Sequence, residues 1–172
     1  MFSDPVKNVR TLGLGETNIV ADLGAGTGFY SVAAGQIVRL GKVYAIEVQK
    51  DYLVKLRYKV AEARLKNVET IWGNVEKIGG TKLRDNLVDA VIASNILFQI
   101  ESKDKFIEEI KRILKPGGRV LLIDWSTPVH GGRIEHMIPK NQAREMFEKN
   151  GFTQEREIDA GAHHYGMILV KK

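Results

Sequence analysis

The chain has 172 residues, of which 44% are hydrophobic and 27% charged, as in an ordinary globular protein with enough length for a buried core. It contains no cysteine, which excludes disulfides, a cysteine nucleophile, thiolate zinc sites and cysteine-bound iron–sulfur clusters. The formal charge of +5 suits an anionic partner, but 26 basic residues are scattered among 21 acidic ones, so nucleic acid is a less favoured partner. No apolar run approaches the roughly 18 residues of a membrane span and no leader opens the chain, so we expect a cytoplasmic protein.

Short runs rich in Val and Ile predict buried parallel strands, and the segments between them have the apolar spacing of helices. We expect strands over residues 19–23, 43–48, 68–72, 88–94 and 119–125, with helices over 50–66 and 103–115. The turn Pro116-Gly117-Gly118 is expected to end the second of these helices. Strands that alternate with helices indicate an α/β protein with a doubly wound parallel sheet.

The C-terminal part has a different pattern. A helix is expected over 140–150, followed by strands over 152–158 and 163–170. These two strands are too close in sequence for a parallel crossover, so they must pair antiparallel. No linker or low-complexity stretch appears, so we expect one domain over residues 1–172, in which residues 1–18 form an N-terminal segment that partly covers the site.

The most informative segment is Ile19–Tyr30, which has the pattern of a strand, a Gly-rich turn and a helix start. The turn contains three glycines: Gly24, Gly26 and Gly28. Without Cβ atoms, the backbone can bend tightly there and approach a ligand. A dinucleotide fingerprint would have its third glycine at position 29, which is Phe29 here. Asp22, just before the turn, suits an ammonium or sulfonium ligand better than a pyrophosphate.

This segment resembles the nucleotide loop of the class I S-adenosylmethionine-dependent methyltransferases. Four further segments resemble that family in the same order: Val43–Glu47, Trp72–Val75, Val88–Asn95 and Leu114–Trp125. The last two of them most resemble the quinone-biosynthesis and arsenite-methylating members, although arsenite chemistry is disfavoured without cysteines. The resemblance implies a Rossmann-like seven-stranded sheet in the order 3-2-1-4-5-7-6 with the last strand antiparallel. It also implies S-adenosyl-L-methionine as cofactor and S-adenosyl-L-homocysteine as product.

The resemblance also assigns cofactor roles to residues near the ends of the strands. Glu47 follows Asp22 by about one strand–helix–strand step and is expected to hold the ribose hydroxyls. Val48 and Val75 are expected to sandwich the adenine ring. The full set of cofactor candidates is Asp22, Gly24, Ala25, Gly26, Gly28, Glu47, Val48, Asn74, Val75 and Ser94. As alternatives, the glycines serve helix packing alone, and Asn74 caps the turn 74–78.

Candidate acceptor contacts follow the fourth and fifth strands and begin the last one: Asn95, Phe98, Trp125 and Tyr165. Trp125 and Tyr165 are interpreted either as an aromatic wall for a cationic acceptor or as ordinary packing. Asn95 is either a substrate contact or a helix cap. Residues 94–97 lack the prolines found in methyltransferases that act on adenine or glutamine, which favours the small-molecule branch of the family.

Four histidines lie in the last third of the chain: His130, His136, His163 and His164. The candidate catalytic residues are Asn95, His130 and His163, with a histidine as the hypothetical general base. A metal site is not favoured, because neighbouring residues of a strand such as His163 and His164 point to opposite faces of the sheet.

Methyl transfer from a sulfonium is an in-line displacement of an activated group, so the enzyme can act mainly by positioning the acceptor. We therefore expect methyl transfer to a small-molecule or otherwise accessible acceptor, whose identity stays open, as does the oligomeric state. The alternatives are a methyltransferase that acts on RNA or protein and a non-catalytic cofactor-binding scaffold. A nicotinamide-dependent dehydrogenase is disfavoured by Phe29 and the reversed hairpin.

Overall fold

One seven-stranded sheet organises the chain in the computed structural model, which describes residues 3–127 and 136–172. The strands are β1 (Ile19–Leu23), β2 (Lys42–Glu47), β3 (Val68–Trp72), β4 (Val88–Ser94), β5 (Leu114–Trp125), β6 (Phe152–Ile158) and β7 (His164–Lys171). Their order is β3-β2-β1-β4-β5-β7-β6, and β7 runs antiparallel to both of its neighbours. The predicted strand order and the antiparallel last strand are confirmed.

Helices cover both faces of this sheet. They are α1 (Pro5–Arg10), α2 (Phe29–Ile37), α3 (Lys50–Glu62), α4 (Lys103–Ile113) and α5 (Lys140–Lys149), with a single 3-10 turn at Leu97–Gln99. Alternate strand residues point to opposite faces, so Val20 packs with α1 and α2 while Ala21 packs with α4 and α5. In the described part of the chain, no helix has the length and apolar character needed to cross a bilayer.

Two helices end earlier than the sequence predicts. The first, α3, ends at Glu62 instead of residue 66, and Arg64 has the left-handed φ of 54° that stops it. The second, α4, ends at Ile113 instead of residue 115, because Leu114 already pairs with β4 as the first residue of β5. The strand therefore begins before the Pro116-Gly117-Gly118 turn, which was predicted to end the helix.

A buried carboxylate attaches the segment between β3 and β4 to α4. Glu109 is fully buried, accepts hydrogen bonds from the backbone N–H groups of Gly79 and Thr81, and is ion-paired with Arg112 at 2.8 Å. Arg112 also pairs with Asp85 at 2.6 Å. Burial opposes ionisation of Glu109, but the hydrogen bonds from Arg112, Thr81 and Gly79 outweigh it and lower its pKa from 4.5 to about 2.

We expect Glu109→Gln to lower the free energy of unfolding by about 3 kcal/mol at pH 7, because it removes one partner of a buried ion pair. The pKa of Glu109 is lower in the folded state, so its stabilisation is present above pH 4.5 and is lost as the pH falls from there towards 2. Urea unfolding at several pH values measures both effects. Glu108→Gln, at an exposed position of the same helix, is the control. Equal pH dependence in the wild type and Glu109→Gln would contradict this account.

Candidate active site

A cavity of about 510 Å³ opens at the carboxyl ends of β1, β2 and β4. Open α/β sheets bind ligands at this edge, and the volume lies in the range of small-molecule sites. Eight of the ten predicted cofactor residues line it: Gly24, Ala25, Gly26, Glu47, Val48, Asn74, Val75 and Ser94. The other two, Asp22 and Gly28, lie outside the lining.

The carboxylate of Glu47 joins two loops of this cavity. Its Oε2 accepts a hydrogen bond from the N–H of Gly26 at 2.8 Å, and its Oε1 accepts one from the N–H of Gln49 at 2.7 Å. The side chain is only 5% exposed. A carboxylate can accept about four hydrogen bonds, so Glu47 can hold both loops and still accept from two ligand hydroxyls, such as those of a ribose.

The three glycines of the turn all have positive φ, but they face different surroundings. A Cβ on Gly24 would lie 2.1 Å from the Cδ1 of Ile96, and one on Gly28 would lie 2.3 Å from the Cδ1 of Leu56. At Gly26 the nearest atom to such a Cβ is a backbone oxygen at 4.0 Å. Gly24 and Gly28 are thus required by packing, whereas a side chain at Gly26 would occupy the space of a ligand.

Asp22 is buried behind the turn, and its only side-chain partner among the described residues is the Oγ of Ser31, which donates a hydrogen bond of 2.5 Å. Burial raises the pKa of Asp22 to about 7, although the hydrogen bond from Ser31 lowers it. Asp22 would therefore act on a ligand through its charge, without direct contact. A cation in the cavity would favour the ionised form of this carboxyl group.

Val48 and Val75, the two residues expected to flank the adenine, both line the cavity. Val75 is 7% exposed, while Val48 is 50% exposed and its carbonyl accepts a hydrogen bond from the indole N–H of Trp72. Asn74 caps its turn, because its Oδ1 accepts a hydrogen bond from the N–H of Glu76 at 2.9 Å. Asn74 therefore caps its turn, as one of the two alternatives predicted, and it also lines the cavity.

Ser94 and Asn95, where β4 ends, also line the cavity. The Oγ of Ser94 and the Oδ1 of Asn95 are buried, and they have no hydrogen-bond partner within residues 3–127 and 136–172. Asn95 has a left-handed φ of 54° and caps no helix, because Ile96 and Ser102 occupy the two N-cap positions that follow. Buried polar atoms are rarely left unpaired, and the two residues that carry these atoms both line the cavity.

The aromatic acceptor candidates lie elsewhere. Phe98 lines a neighbouring cavity of about 740 Å³, which shares Gln99 and Ile100 with the first. Trp125 and Tyr165 line neither cavity within the described residues.

Trp125 and Tyr165 lie on opposite faces of the sheet, which favours the packing alternative over a shared aromatic wall. Trp125 is opposite His164 in the pairing of β5 with β7, and their ring centroids are 4.2 Å apart. Tyr165 is opposite Asp124, on the other face of the sheet. Its hydroxyl is buried without a partner in the described chain, and burial raises its pKa.

Asp124 is a buried carboxylate beside the site that sequence reasoning missed. It is 1% exposed, and its carboxylate accepts hydrogen bonds from the N–H groups of Trp125 at 2.8 Å and Phe98 at 3.2 Å. Burial raises its pKa to about 6, although these hydrogen bonds lower it. Asp124 thereby fixes the 3-10 turn Leu97–Gln99, which separates the two cavities. The only sequence signal is an acid that ends an apolar strand.

The histidines have separate surroundings. His163 contacts the hydroxyl of Thr127 through Nδ1 at 3.0 Å, and His164 is buried with a lowered pKa. His136 is exposed, and His130 lies outside the described residues. Within the described ranges, no three His, Asp or Glu side chains are grouped as metal ligands.

The sheet order, the reversed last strand, and a Gly-rich turn held by an acid at the end of β2 together define the class I methyltransferase architecture. A family model for a methyltransferase domain matches residues 15–162. A methyltransferase from Aquifex aeolicus that depends on S-adenosylmethionine has 30% sequence identity and a TM-score of 0.89, covering 99% of this chain and 91% of that one. The [4+2]-cyclase SpnF, at 16% identity and a TM-score of 0.84 over 97% and 79% of the chains, shows the fold alone.

The ubiquinone/menaquinone biosynthesis C-methyltransferase UbiE of Escherichia coli O1:K1 is 32% identical over 115 residues. The match covers 64% of this chain and 43% of UbiE, so the chain spans less than half the length of that relative. The chain belongs to the class I S-adenosylmethionine-dependent methyltransferases. Membership of this family makes it a methyltransferase domain that depends on S-adenosyl-L-methionine.

Gly26→Ala and Gly28→Ala should have different effects. Both place an alanine at positive φ, which costs about 1 kcal/mol. Gly26→Ala should weaken S-adenosylmethionine binding by at least about tenfold with little further loss of stability. Gly28→Ala should lower the free energy of unfolding by about 3 kcal/mol, because it also clashes with Leu56. Calorimetric titration and urea unfolding measure these effects, and equal losses of stability would contradict the assignment.

The affinity for S-adenosylmethionine should rise several-fold between pH 6 and pH 8, because Asp22 ionises with a pKa of about 7 and its negative charge favours a cationic ligand. The α-amino group of the cofactor titrates in the same range, so the comparison with Asp22→Asn isolates the protein's contribution. Calorimetry at pH 6, 7 and 8 should give a flatter profile for Asp22→Asn. Parallel profiles would show that Asp22 does not act on the bound cation.

Proposed function

We propose that this enzyme methylates a carbon atom of a small ring compound that carries hydroxyl or keto groups. The observation that carries the proposal is the pair of unpartnered atoms at the end of β4, the Oγ of Ser94 and the Oδ1 of Asn95. A hydroxyl group can donate to a keto oxygen, and an amide oxygen can accept from a hydroxyl. The name of UbiE, a C-methyltransferase of quinone biosynthesis, supports the same class of acceptor.

The neighbouring cavity supports an acceptor with a hydrocarbon portion. Its apolar lining consists of Phe98, Ile100, Met137, Ile138 and Met146. Methionine side chains are flexible and fill irregular apolar space around a ligand. The two cavities meet at Gln99 and Ile100, so an acceptor ring near Asn95 could extend its apolar part into the second cavity.

The residues present fit the cofactor, since Gly26 leaves room for it and Glu47 retains free lone pairs. Glu47 would hold the ribose, while Val48 and Val75 would flank the adenine. When bound, S-adenosylmethionine supplies the methyl group of its sulfonium centre, and the rest of the cofactor leaves as a neutral thioether. Asn95 would orient the ring so that its carbon faces that methyl group, and this positioning is the main contribution to the rate.

When its carbon gains the methyl group, the acceptor must lose one proton, which water that reaches the cavity can take up. Asn95 has no titratable group, so among the candidate catalytic residues it can only position the acceptor. His163 does not line either cavity within the described chain, so a role as base would require the proton to reach it through water. We propose Asn95 as a positioning residue for the acceptor.

The test is methyl transfer from labelled S-adenosylmethionine to a hydroxylated quinol, with an aliphatic amine and an RNA oligonucleotide as alternative acceptors. The expected product carries the methyl group on a ring carbon, which NMR identifies. Transfer to the amine or to RNA alone would contradict the proposal.

Asn95→Gly should lower kcat/KM for the quinol by about tenfold or more, because it removes the amide that would contact the acceptor. Glycine accepts the left-handed backbone, and an unpaired buried oxygen is lost, so stability should stay level or rise. Asn86→Gly is the matched control, since Asn86 also has a positive φ of 49° but lies outside both cavities. An unchanged kcat/KM in Asn95→Gly would contradict this role.

A further inference from the structure

Within the described residues, the large exposed apolar side chains all come from the first half of the chain. Nine large hydrophobic residues are exposed: Val6, Phe29, Leu40, Val48, Tyr52, Val54, Tyr58, Trp72 and Ile78. All nine precede residue 79, so they lie on α1, α2, α3, β3 and the adjoining loops. Within the described residues, α4, α5 and the strands that follow β3 contribute none. Single exposed hydrophobics are ordinary, but Val6 and Phe29 line one groove on the side of the sheet that α1 and α2 cover, which indicates an interaction surface.

Two adjoining grooves cross this side over α1, α2 and α3. They have volumes of about 410 Å³ and 1010 Å³ and share Val6, Ala33 and Gln36. The smaller groove also includes Phe29, which lines the cofactor cavity. We call the two together the α1–α3 groove. It runs from the mouth of the cofactor cavity to the loop between α2 and β2, where Leu40 is 74% exposed.

Most of the excess charge of the chain lies in the α1–α3 groove. Its lining contains six basic residues: Arg10, Arg39, Lys42, Lys59, Arg64 and Lys66. Only two acids, Glu16 and Glu62, line it as well, so the groove accounts for four of the five net positive charges of the chain. Lys42 is paired with Glu69 at 2.9 Å. The remaining basic residues have no carboxylate partner in the described ranges and can meet an external anion.

We infer that the α1–α3 groove is a docking surface for an anionic lipid membrane. Basic side chains attract anionic headgroups, while neighbouring apolar side chains insert at the boundary with the acyl chains. Aromatic rings beside lysines would also suit single-stranded RNA, and the Nζ of Lys59 lies 3.8 Å from the ring centroid of Phe29. However, Val6 and Leu40 are aliphatic and cannot stack on bases. Their position in and beside the groove favours lipid.

Docking through this surface would place the mouth of the cofactor cavity at the membrane, because Phe29 belongs to both. An apolar acceptor dissolved in the bilayer would then be close to the site. The inference does not depend on the identity of the acceptor, since it rests on the charge and exposure of residues outside the catalytic cavity.

Sedimentation of the full chain with vesicles tests the inference. Vesicles of phosphatidylcholine with about one third phosphatidylglycerol should retain the protein, pure phosphatidylcholine should not, and added salt should weaken retention. Each basic residue near an anionic membrane contributes about fivefold in affinity. Loss of three basic residues would weaken binding about 100-fold, so the charge-reversing triple variant Arg39→Glu/Arg64→Glu/Lys66→Glu should bind at least about 100-fold more weakly. The matched control Lys105→Glu/Lys149→Glu/Lys172→Glu changes exposed lysines outside the groove. It should bind anionic vesicles far more tightly than the triple variant in the groove.

A second variant separates lipid from RNA. Leu40→Ser removes an exposed aliphatic side chain and should weaken vesicle binding by several-fold. A polyuridine oligonucleotide should bind the wild type and Leu40→Ser with equal affinity. Calorimetry with S-adenosylmethionine tests whether each variant is folded and has an intact cofactor site. Loss of cofactor binding is therefore distinguished from loss of vesicle binding. No retention on anionic vesicles, equal loss in the two triple variants, or tight RNA binding without vesicle binding would overturn the inference.

Discussion

The buried carboxylate of Glu47 is the interaction on which the cofactor site depends. Neighbouring parallel strands bring the loops after β1 and β2 to the same edge of the sheet, but pairing of the strands does not fix the loops. Glu47 does so by accepting hydrogen bonds from Gly26 in one loop and Gln49 in the other. A buried charge is costly without partners, so these N–H groups stabilise the carboxylate. The carboxylate in turn holds the two loops in place. The same group that would hold the ribose therefore holds the loops.

Around this centre, the site combines tight packing with polar groups that are left unpaired. The side chain of Ile96 packs against Gly24 and that of Leu56 packs against Gly28, while Gly26 leaves space for a ligand. Ser94 and Asn95 line the cavity and carry unpaired buried side-chain atoms. Such atoms lower the stability of the free protein, and proteins tolerate them where a ligand satisfies them.

Local signals, namely short apolar runs and a G-x-G-x-G turn near an acid, predicted the strands, and eight of the ten predicted cofactor residues line the cavity. The strand order followed from the resemblance to the methyltransferase family. Sequence reasoning failed where distant parts of the chain decide. Asp124 was missed because Phe98, 26 residues away, donates to it. Trp125 and Tyr165 were grouped together because their faces depend on the register between β5 and β7. The early end of α4 likewise depends on pairing of Leu114 with β4.

The most direct test of the central claim is a calorimetric titration of wild-type protein and Glu47→Gln with S-adenosylmethionine, with NADH as a negative control ligand. The amide can accept from only one of the two loops and carries no charge. The account predicts micromolar binding by the wild type, binding weaker by roughly 30-fold or more in the variant because charged hydrogen bonds are lost, and no binding of NADH. Equal affinity of the two proteins for S-adenosylmethionine would contradict the role of Glu47 in joining the loops and holding the cofactor.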